Sequence, residues 1–249
     1  MAHSAYGSAH TVYAYRSEWY KARMTEIEDA PHPGGQKKRG AKVFRDPIHD
    51  LIYLGPEDRW ILDLVDTKEF QRLRRVRQLG LAHLAYPGAE HSRFTHSLGV
   101  FNFARRIIRK LQHRHGVGSD VWKDLEQHER VIKAAALLHD LGHGPFSHVF
   151  ERVLKTEGTN YKRHDDWTCA ILRDRTTEAH QKLGDLDPEQ LCGLISDSAA
   201  RPPEPYLKDI VSSQLDADRM DYLLRDSLMT GSEYGRFDSE WILNALVIG

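Results

Sequence analysis

Cysteine is scarce: Cys169 and Cys192 are the two in 249 residues. They give no disulfide framework, so a reducing compartment is the default. No apolar run approaches the roughly 20 residues needed to span a bilayer. Residues Met1 to Tyr20 are polar and Tyr-rich and lack the apolar centre of a secretory signal. An excess of one charge is also missing. Lys and Arg number 35 against 36 Asp and Glu, a formal net charge of -1, which argues against non-specific coating of nucleic acid. A local basic pocket remains compatible with that balance. These absences lead to the expectation of a cytoplasmic enzyme with no membrane and no nucleic-acid partner. Histidine is the unusual presence, with 15 residues, and the positions matter more than the count.

Residues 1–41 read as a weakly ordered extension. They hold scattered aromatics (Tyr13, Tyr15, Trp19) and the breaker-rich run Pro31-His32-Pro33-Gly34-Gly35, followed by Lys37, Lys38 and Arg39. From Val43 to Leu54 apolar and polar residues alternate around Pro47, which predicts a short hairpin or extended entry. The period then becomes helical. Trp60, Ile61, Leu64, Phe70, Leu73 and Val76 recur at steps of three and four, as in one helix or a broken pair. Further helices are predicted over Ser97 to His115 and Leu125 to Leu141, then near 145–155, 163–174, 187–196, 213–228 and 238–247. Val131 to Leu138 is apolar apart from Lys133, the mark of a buried helix. Asp187-Pro188 supplies an N-cap and a proline at the first helical position. The pattern is that of an all-α domain over 42–249 behind the short extended segment. The run from Trp241 to Ile248 is apolar to its end, leading to the expectation that the chain is truncated within a larger protein.

Chemistry concentrates in Leu137 to His148. A buried helix ends in His139-Asp140, and Gly142, Gly144 and Pro145 terminate it. An imidazole and a carboxylate at the end of an apolar helix are costly unless both are paired or bind a metal. One such histidine alone reads as a hydrogen-bonded core residue. His139, Asp140, His143 and His148 together, within ten positions, do not. A second piece is Arg93 to Gly99, where His96 taken alone reads as a cap or a surface residue. The third runs from Leu215 to Asp226. At about 100° per residue Asp218, Tyr222 and Asp226 share one face, and Met220, Leu223, Leu224 and Leu228 another. Alone it reads equally well as a solvated acidic face. Taken together, His96, His139, Asp140 and Asp218 offer two imidazoles and two carboxylates. Such a nitrogen and oxygen set suits Mn²⁺, Fe²⁺ or Mg²⁺, and Zn²⁺ less well where octahedral positions stay open.

The order His96, His139-Asp140, Asp218 resembles the H…HD…D signature of the HD superfamily of metal-dependent phosphohydrolases. Longer strings sharpen the resemblance: Gln78-Leu79-Gly80, Tyr86 to Ala89, Arg93 to Val100, His139 to His148, and Asp216 to Asp226. They are similar to deoxynucleoside triphosphate triphosphohydrolases, notably the SAM-and-HD-domain branch and its bacterial relatives. The similarity runs from about Lys42 to the end. The resemblance implies an HD-domain helical fold and cleavage between the 5′ oxygen and the α-phosphorus. The products are then a deoxynucleoside, from dGTP among others, and inorganic triphosphate. It implies His96, His139, Asp140 and Asp218 as metal ligands. It further implies His148 as acid/base supported by Glu151, with His143 and His164 contacting phosphates. Arg93 matches an α-phosphate contact. Gln78 and Leu79 match readers of the sugar 3′-OH, Tyr222 a residue packed on the sugar, and Asp226 completes that pocket.

The same resemblance implies a regulatory site for a GTP or dNTP activator, with homo-oligomers (dimer or tetramer) assembling around it. Lys42, Asp66, Gln71 and Arg74 fall at matching positions, while Arg45 stands where the family has asparagine. Gln71 to Arg77 reads equally well as a solvated basic helix face. The family's downstream Arg/His/Tyr phosphate clamp has no counterpart within these residues. Two alternatives stay open. One is an HD phosphohydrolase acting on a monophosphate, a cyclic nucleotide or an alarmone. The other is a non-catalytic nucleotide-binding assembly module.

Overall fold

The alternating segment folds into an antiparallel hairpin, β1 (Lys42–Asp46) and β2 (Asp50–Leu54), with Val43 opposite Tyr53. It opens the computed structural model, which describes residues 42–158, 163–199 and 204–248. The reading of residues 1–41 lies outside the described residues. Ile52 and Leu54 are fully buried and Leu51 is exposed, as strand alternation requires. The Asp46 carboxylate closes the turn by accepting from the backbone N–H groups of Ile48 and His49, at 2.9 and 3.1 Å.

Among the described residues eleven helices follow. The first periodic stretch is broken, into α1 (Arg59–Val65) and α2 (Lys68–Arg72). Thr67 causes the break, since its hydroxyl caps the new helix by accepting from Phe70 N–H. The long helices are α3 (Arg93–His115) and α4 (Asp120–Leu138). After them come α5 (His148–Thr156), α6 (His164–Arg173), α7 (Glu178–Gln181), α8 (Pro188–Ile195), α9 (Pro205–Asp209), α10 (Ala217–Thr230) and α11 (Ser239–Ala245). The single-turn helices α7 and α9 have no counterpart in the sequence reading. Asp187 caps α8 as its Asp-Pro signal required, accepting from Glu189 N–H at 2.9 Å. No helix among the described residues is long and apolar enough to cross a membrane.

Two boundaries differ from expectation, and both move chemistry. α3 starts at Arg93 rather than Ser97. The preceding chain is pinned by Arg93 N–H to Val76 O (2.9 Å) and Gln78 N–H to His91 O (3.0 Å). Phe94 is then buried edge-on against Phe70, with centroids 5.2 Å apart. His96 therefore lies inside the first turn of a buried helix, which excludes the surface and capping readings. α4 begins at the Ser119 cap and ends at Leu138 rather than Leu141, so His139-Asp140 sits at the start of a turn.

α3 packs against α4 on one side and α10 on another, and the core is continuous across them. The reading of α10 is corrected here. Leu223 and Leu224 are only partly buried and Leu228 is exposed, whereas Asp221, Arg225, Asp226 and Ser227 are buried. An ionic face is turned inward because partners on other elements meet it. Gly99 permits the approach, since a Cβ there would overlap the Asp221 carboxylate and the Arg225 guanidinium. Gly99→Ala should therefore lower stability by about 2–3 kcal/mol through overpacking, measured by urea unfolding. A loss below about 0.5 kcal/mol, the scale of an ordinary surface change, would mean that α10 can withdraw without cost.

Candidate metal centre

Three elements converge on one buried cluster. His96 comes from the first turn of α3, His139 and Asp140 from the turn after α4, and Asp218 from the first turn of α10. The donor atoms of His96, His139 and Asp140 all lie within 4.8 Å of one another. Asp218 Oδ1 is 2.9 Å from His96 Nε2 and 3.7 Å from His139 Nε2. His96, His139 and Asp140 are at most 8% exposed, so their polar atoms need partners within the protein.

The hydrogen bonds behind the cluster decide which nitrogens face it. His139 Nδ1 is 2.9 Å from the Ala136 carbonyl, an acceptor only, so Nδ1 carries the proton. His139 Nε2 then presents a lone pair, is buried, and has no hydrogen-bond partner among the described residues. His96 Nδ1 lies 2.8 Å from the Asp221 carboxylate and donates to it, again leaving Nε2 for the centre. Metal-binding imidazoles are oriented in this way, the distal nitrogen donating to a carboxylate or carbonyl. Burial opposes protonation of His96, yet the adjoining Asp218 and Asp221 carboxylates outweigh it and raise its pKa to about 10. An orphaned imidazole nitrogen beside two carboxylates fits a divalent cation, and the all-N/O set fits Mn²⁺, Fe²⁺ or Mg²⁺.

Around the cluster lies a cationic and imidazole rim. Arg93 donates from Nη1 to Asp140 Oδ2 at 2.6 Å and from Nε and Nη2 to the Ser147 hydroxyl. Burial alone would raise the Asp140 pKa, but Arg93, His139 and His143 hold it well below the usual carboxylate range. His143 Nε2 is 3.2 Å from Asp140 Oδ1, and its ring stacks on His164 with centroids 3.9 Å apart. Burial pushes His143 down to about 3, so it is neutral at physiological pH. His164 is half-buried, and although that burial opposes its charge, its bond to Glu151 raises its pKa. Glu151 Oε1 is 2.8 Å from His164 Nδ1 and accepts from the His164 backbone N–H at 3.0 Å. That partner for Glu151 was not named from sequence. His148 begins α5, and its side chain lies outside the described residues.

Local folding explains this juxtaposition. Gly142 lies so close to α6 that a Cβ would overlap the His164 carbonyl and Thr168 N. Gly142 N–H donates to Thr168 Oγ1, which donates to the His139 carbonyl, at 2.8 and 2.9 Å. Arg72 donates to the carbonyls of Leu141 and His143 from the other side. The turn bearing His139, Asp140 and His143 is thereby fixed to the start of α6, which carries His164.

The remaining candidates fall into two groups. Gln78 is tied through its backbone to His91, whose Nε2 is 2.8 Å from the buried Asp226 Oδ1. Gln78 Oε1 is buried with no hydrogen-bond partner among the described residues. Tyr222 and Leu79 are half-buried, and burial raises the Tyr222 pKa. In the second group Gln71 Oε1 accepts from Arg74 Nε at 2.7 Å, and the Arg74 guanidinium lies 3.5 Å over the Phe94 ring. Asp66 and Lys42 are exposed, and among the described residues no hydrogen bond or ion pair joins them to that pair. Sequence reasoning missed Asp221, His91 and Ser147. The only local signal was that Asp221 and Arg225 are four apart on one helix face, a spacing equally normal for a solvated pair.

A family model described as HD domain matches residues 93–226. The uncharacterized protein YwfO of Bacillus subtilis is 44% identical over 219 residues, 86% of this chain and 46% of that protein. The deoxynucleoside triphosphate triphosphohydrolase SAMHD1 of Gallus gallus is 34% identical over 211 residues, covering 74% of this chain and 33% of that one. The chain thus spans about half, or less, of the curated relatives it matches. Among solved structures, a phosphohydrolase from Bacteroides thetaiotaomicron matches with TM-score 0.67 and 33% identity, over 84% of this chain and 47% of that one. A hypothetical protein from Aquifex aeolicus matches with TM-score 0.65 and 35% identity, over 82% and 50%.

His139→Ala and Asp140→Ala should each abolish divalent-metal binding while leaving the helical circular dichroism intact, with bound metal counted by elemental analysis after loading with Mn²⁺. One equivalent retained in either folded variant would place the metal elsewhere.

Proposed function

The chain belongs to the HD-domain family, and from that premise we propose that it is a metal-dependent dNTP triphosphohydrolase. The products are a deoxynucleoside, from dGTP among the substrates, and inorganic triphosphate. The observation that carries this reading is the adjacency of two unlike groups around one buried His/Asp cluster. Arg93, His143 and His164 form a phosphate-compatible rim. Gln78, Tyr222 and Asp226 offer polar and aromatic contacts of the kind a deoxyribose needs.

His96, His139, Asp140 and Asp218 would hold the cation. Bound there, a divalent ion supplies Lewis acidity toward a phosphoryl oxygen and makes water more acidic. Arg93 keeps one guanidinium edge on Asp140 and turns its charge toward the α-phosphate. His164, its pKa raised through Glu151, supplies positive charge to the phosphate chain, and neutral His143 donates or accepts a hydrogen bond beside it. His148, with Glu151 supporting it, is the acid/base that protonates the leaving 5′ oxygen. Gln78 and Leu79 read the 3′-OH. Tyr222 packs on the sugar and disfavours a 2′-OH, and Asp226 closes that pocket. Lys42, Asp66, Gln71 and Arg74 belong to a regulatory site for a GTP or dNTP activator in a dimer or tetramer.

The test is product analysis with Mn²⁺ and each of the four dNTPs, with and without GTP. Deoxynucleoside and triphosphate in equal amounts are expected, with a rate that rises with GTP. Release of pyrophosphate or monophosphate instead would sink the triphosphohydrolase reading. His148→Ala should cut turnover by about 10²–10⁴-fold, the usual contribution of a general acid, with Mn²⁺ content unchanged. Metal lost in that variant would make His148 a ligand.

A further inference from the structure

Asp221 is not the end of the hydrogen-bond chain behind His96. Its Oδ2 accepts from His96 Nδ1, and its Oδ1 lies 2.9 Å from His49 Nε2, on the hairpin turn. His49 Nδ1 is 3.0 Å from Asn102 Nδ2, and Asn102 Oδ1 is 2.7 Å from Arg105 Nη2. Asn102, His49, Asp221 and His96 are at most 5% exposed. The chain leaves α3 at Asn102, crosses the hairpin turn and α10, and returns to α3 at His96.

Every bond in this chain has one allowed direction. A guanidinium has no acceptor, so Asn102 must turn its carbonyl to Arg105 and its amide N–H to His49. His49 Nδ1 must then accept, which puts the ring proton on Nε2, the nitrogen facing the Asp221 anion. The opposite tautomer would set a lone pair against a carboxylate at one end and an N–H against an N–H at the other. With one Asp221 oxygen oriented by His49, the other accepts from His96 Nδ1, and His96 Nε2 is aimed at the centre. Arg225 donates to both Asp221 oxygens and is itself held by Asp46, the carboxylate that closes the hairpin turn.

We propose that Arg105, Asn102 and His49 are positioning residues for the metal ligand His96, acting through Asp221, so that the hairpin is part of the metal centre. The proposal requires a cation at this site and nothing about the substrate, so it stands or falls separately from the triphosphohydrolase reading. Its chemistry is hydrogen-bond direction: a hairpin side chain must accept from Asn102 and donate to Asp221.

The experiment compares the full chain with His49→Leu, His49→Gln and Asn102→Leu. Mn²⁺ dissociation constants come from the free-ion electron paramagnetic resonance signal, and thermal unfolding in chelator establishes that each variant is folded. His49→Leu and Asn102→Leu should weaken Mn²⁺ binding about 10–100-fold, whereas His49→Gln, which can still accept and donate, should stay within about threefold. Asn102→Leu carries the same test if His49→Leu does not fold. A lower unfolding temperature with an unchanged Mn²⁺ constant would make the chain merely structural and overturn the proposal. Equal weakening in the Gln and Leu variants would overturn it too, because hydrogen-bond direction would then not be what matters.

Discussion

Asp221 has no exposed surface and still carries a charge, and the arrangement of the site follows from how that charge is accommodated. An isolated buried carboxylate would be neutralised by a raised pKa. Here burial is outweighed by Arg225, His49 and His96, which hold the group well below its ordinary range. Those donors come from α10, the hairpin turn and α3, so none of the three elements can shift without leaving a buried anion short of partners. Removing one partner from such a network costs far more than the network contributes net. Gly99 is the steric condition for it, since only a residue without a side chain lets α10 bring this carboxylate so close to α3.

The turn after α4 meets a related constraint from the other direction. Phe146 and Ser147 adopt left-handed backbone conformations, with φ of 60° and 50°, which cost non-glycine residues about 1–3 kcal/mol each. Ser147 is kept there because its hydroxyl accepts from two nitrogens of Arg93, the residue that also grips Asp140. Strain in the loop and order in the guanidinium are therefore two aspects of one contact. Arg93 can be aimed this way only because α3 begins at Arg93 and not four residues later.

Much of this was legible in the chain. The hairpin follows from alternation, the α8 start from Asp-Pro, and His139 and Asp140 as ligand candidates from a motif whose residue types are costly to bury without a cation. Periodicity failed on α10 because it assumes that the apolar stripe faces inward. There the inward face holds Asp221 and Arg225, whose partners His96 and Asp46 lie 125 and 179 residues away. The start of α3 failed for a similar reason. The chain before Arg93 is held by backbone bonds to Val76 and Gln78, and Phe94 is buried on Phe70. No local capping signal reports these contacts.

The sequence by itself determined the all-helical class with its entry hairpin and the composition of the donor set. Residue type limits what a side chain can ligate or donate, and short-range spacing limits what the backbone can form. Only the tertiary structure decided which nitrogen of each histidine is free, that Glu151 meets His164, and that His49 reaches Asp221. A ring proton goes to whichever nitrogen faces an acceptor. That acceptor is supplied by another segment of the chain, at a distance fixed when the helices pack.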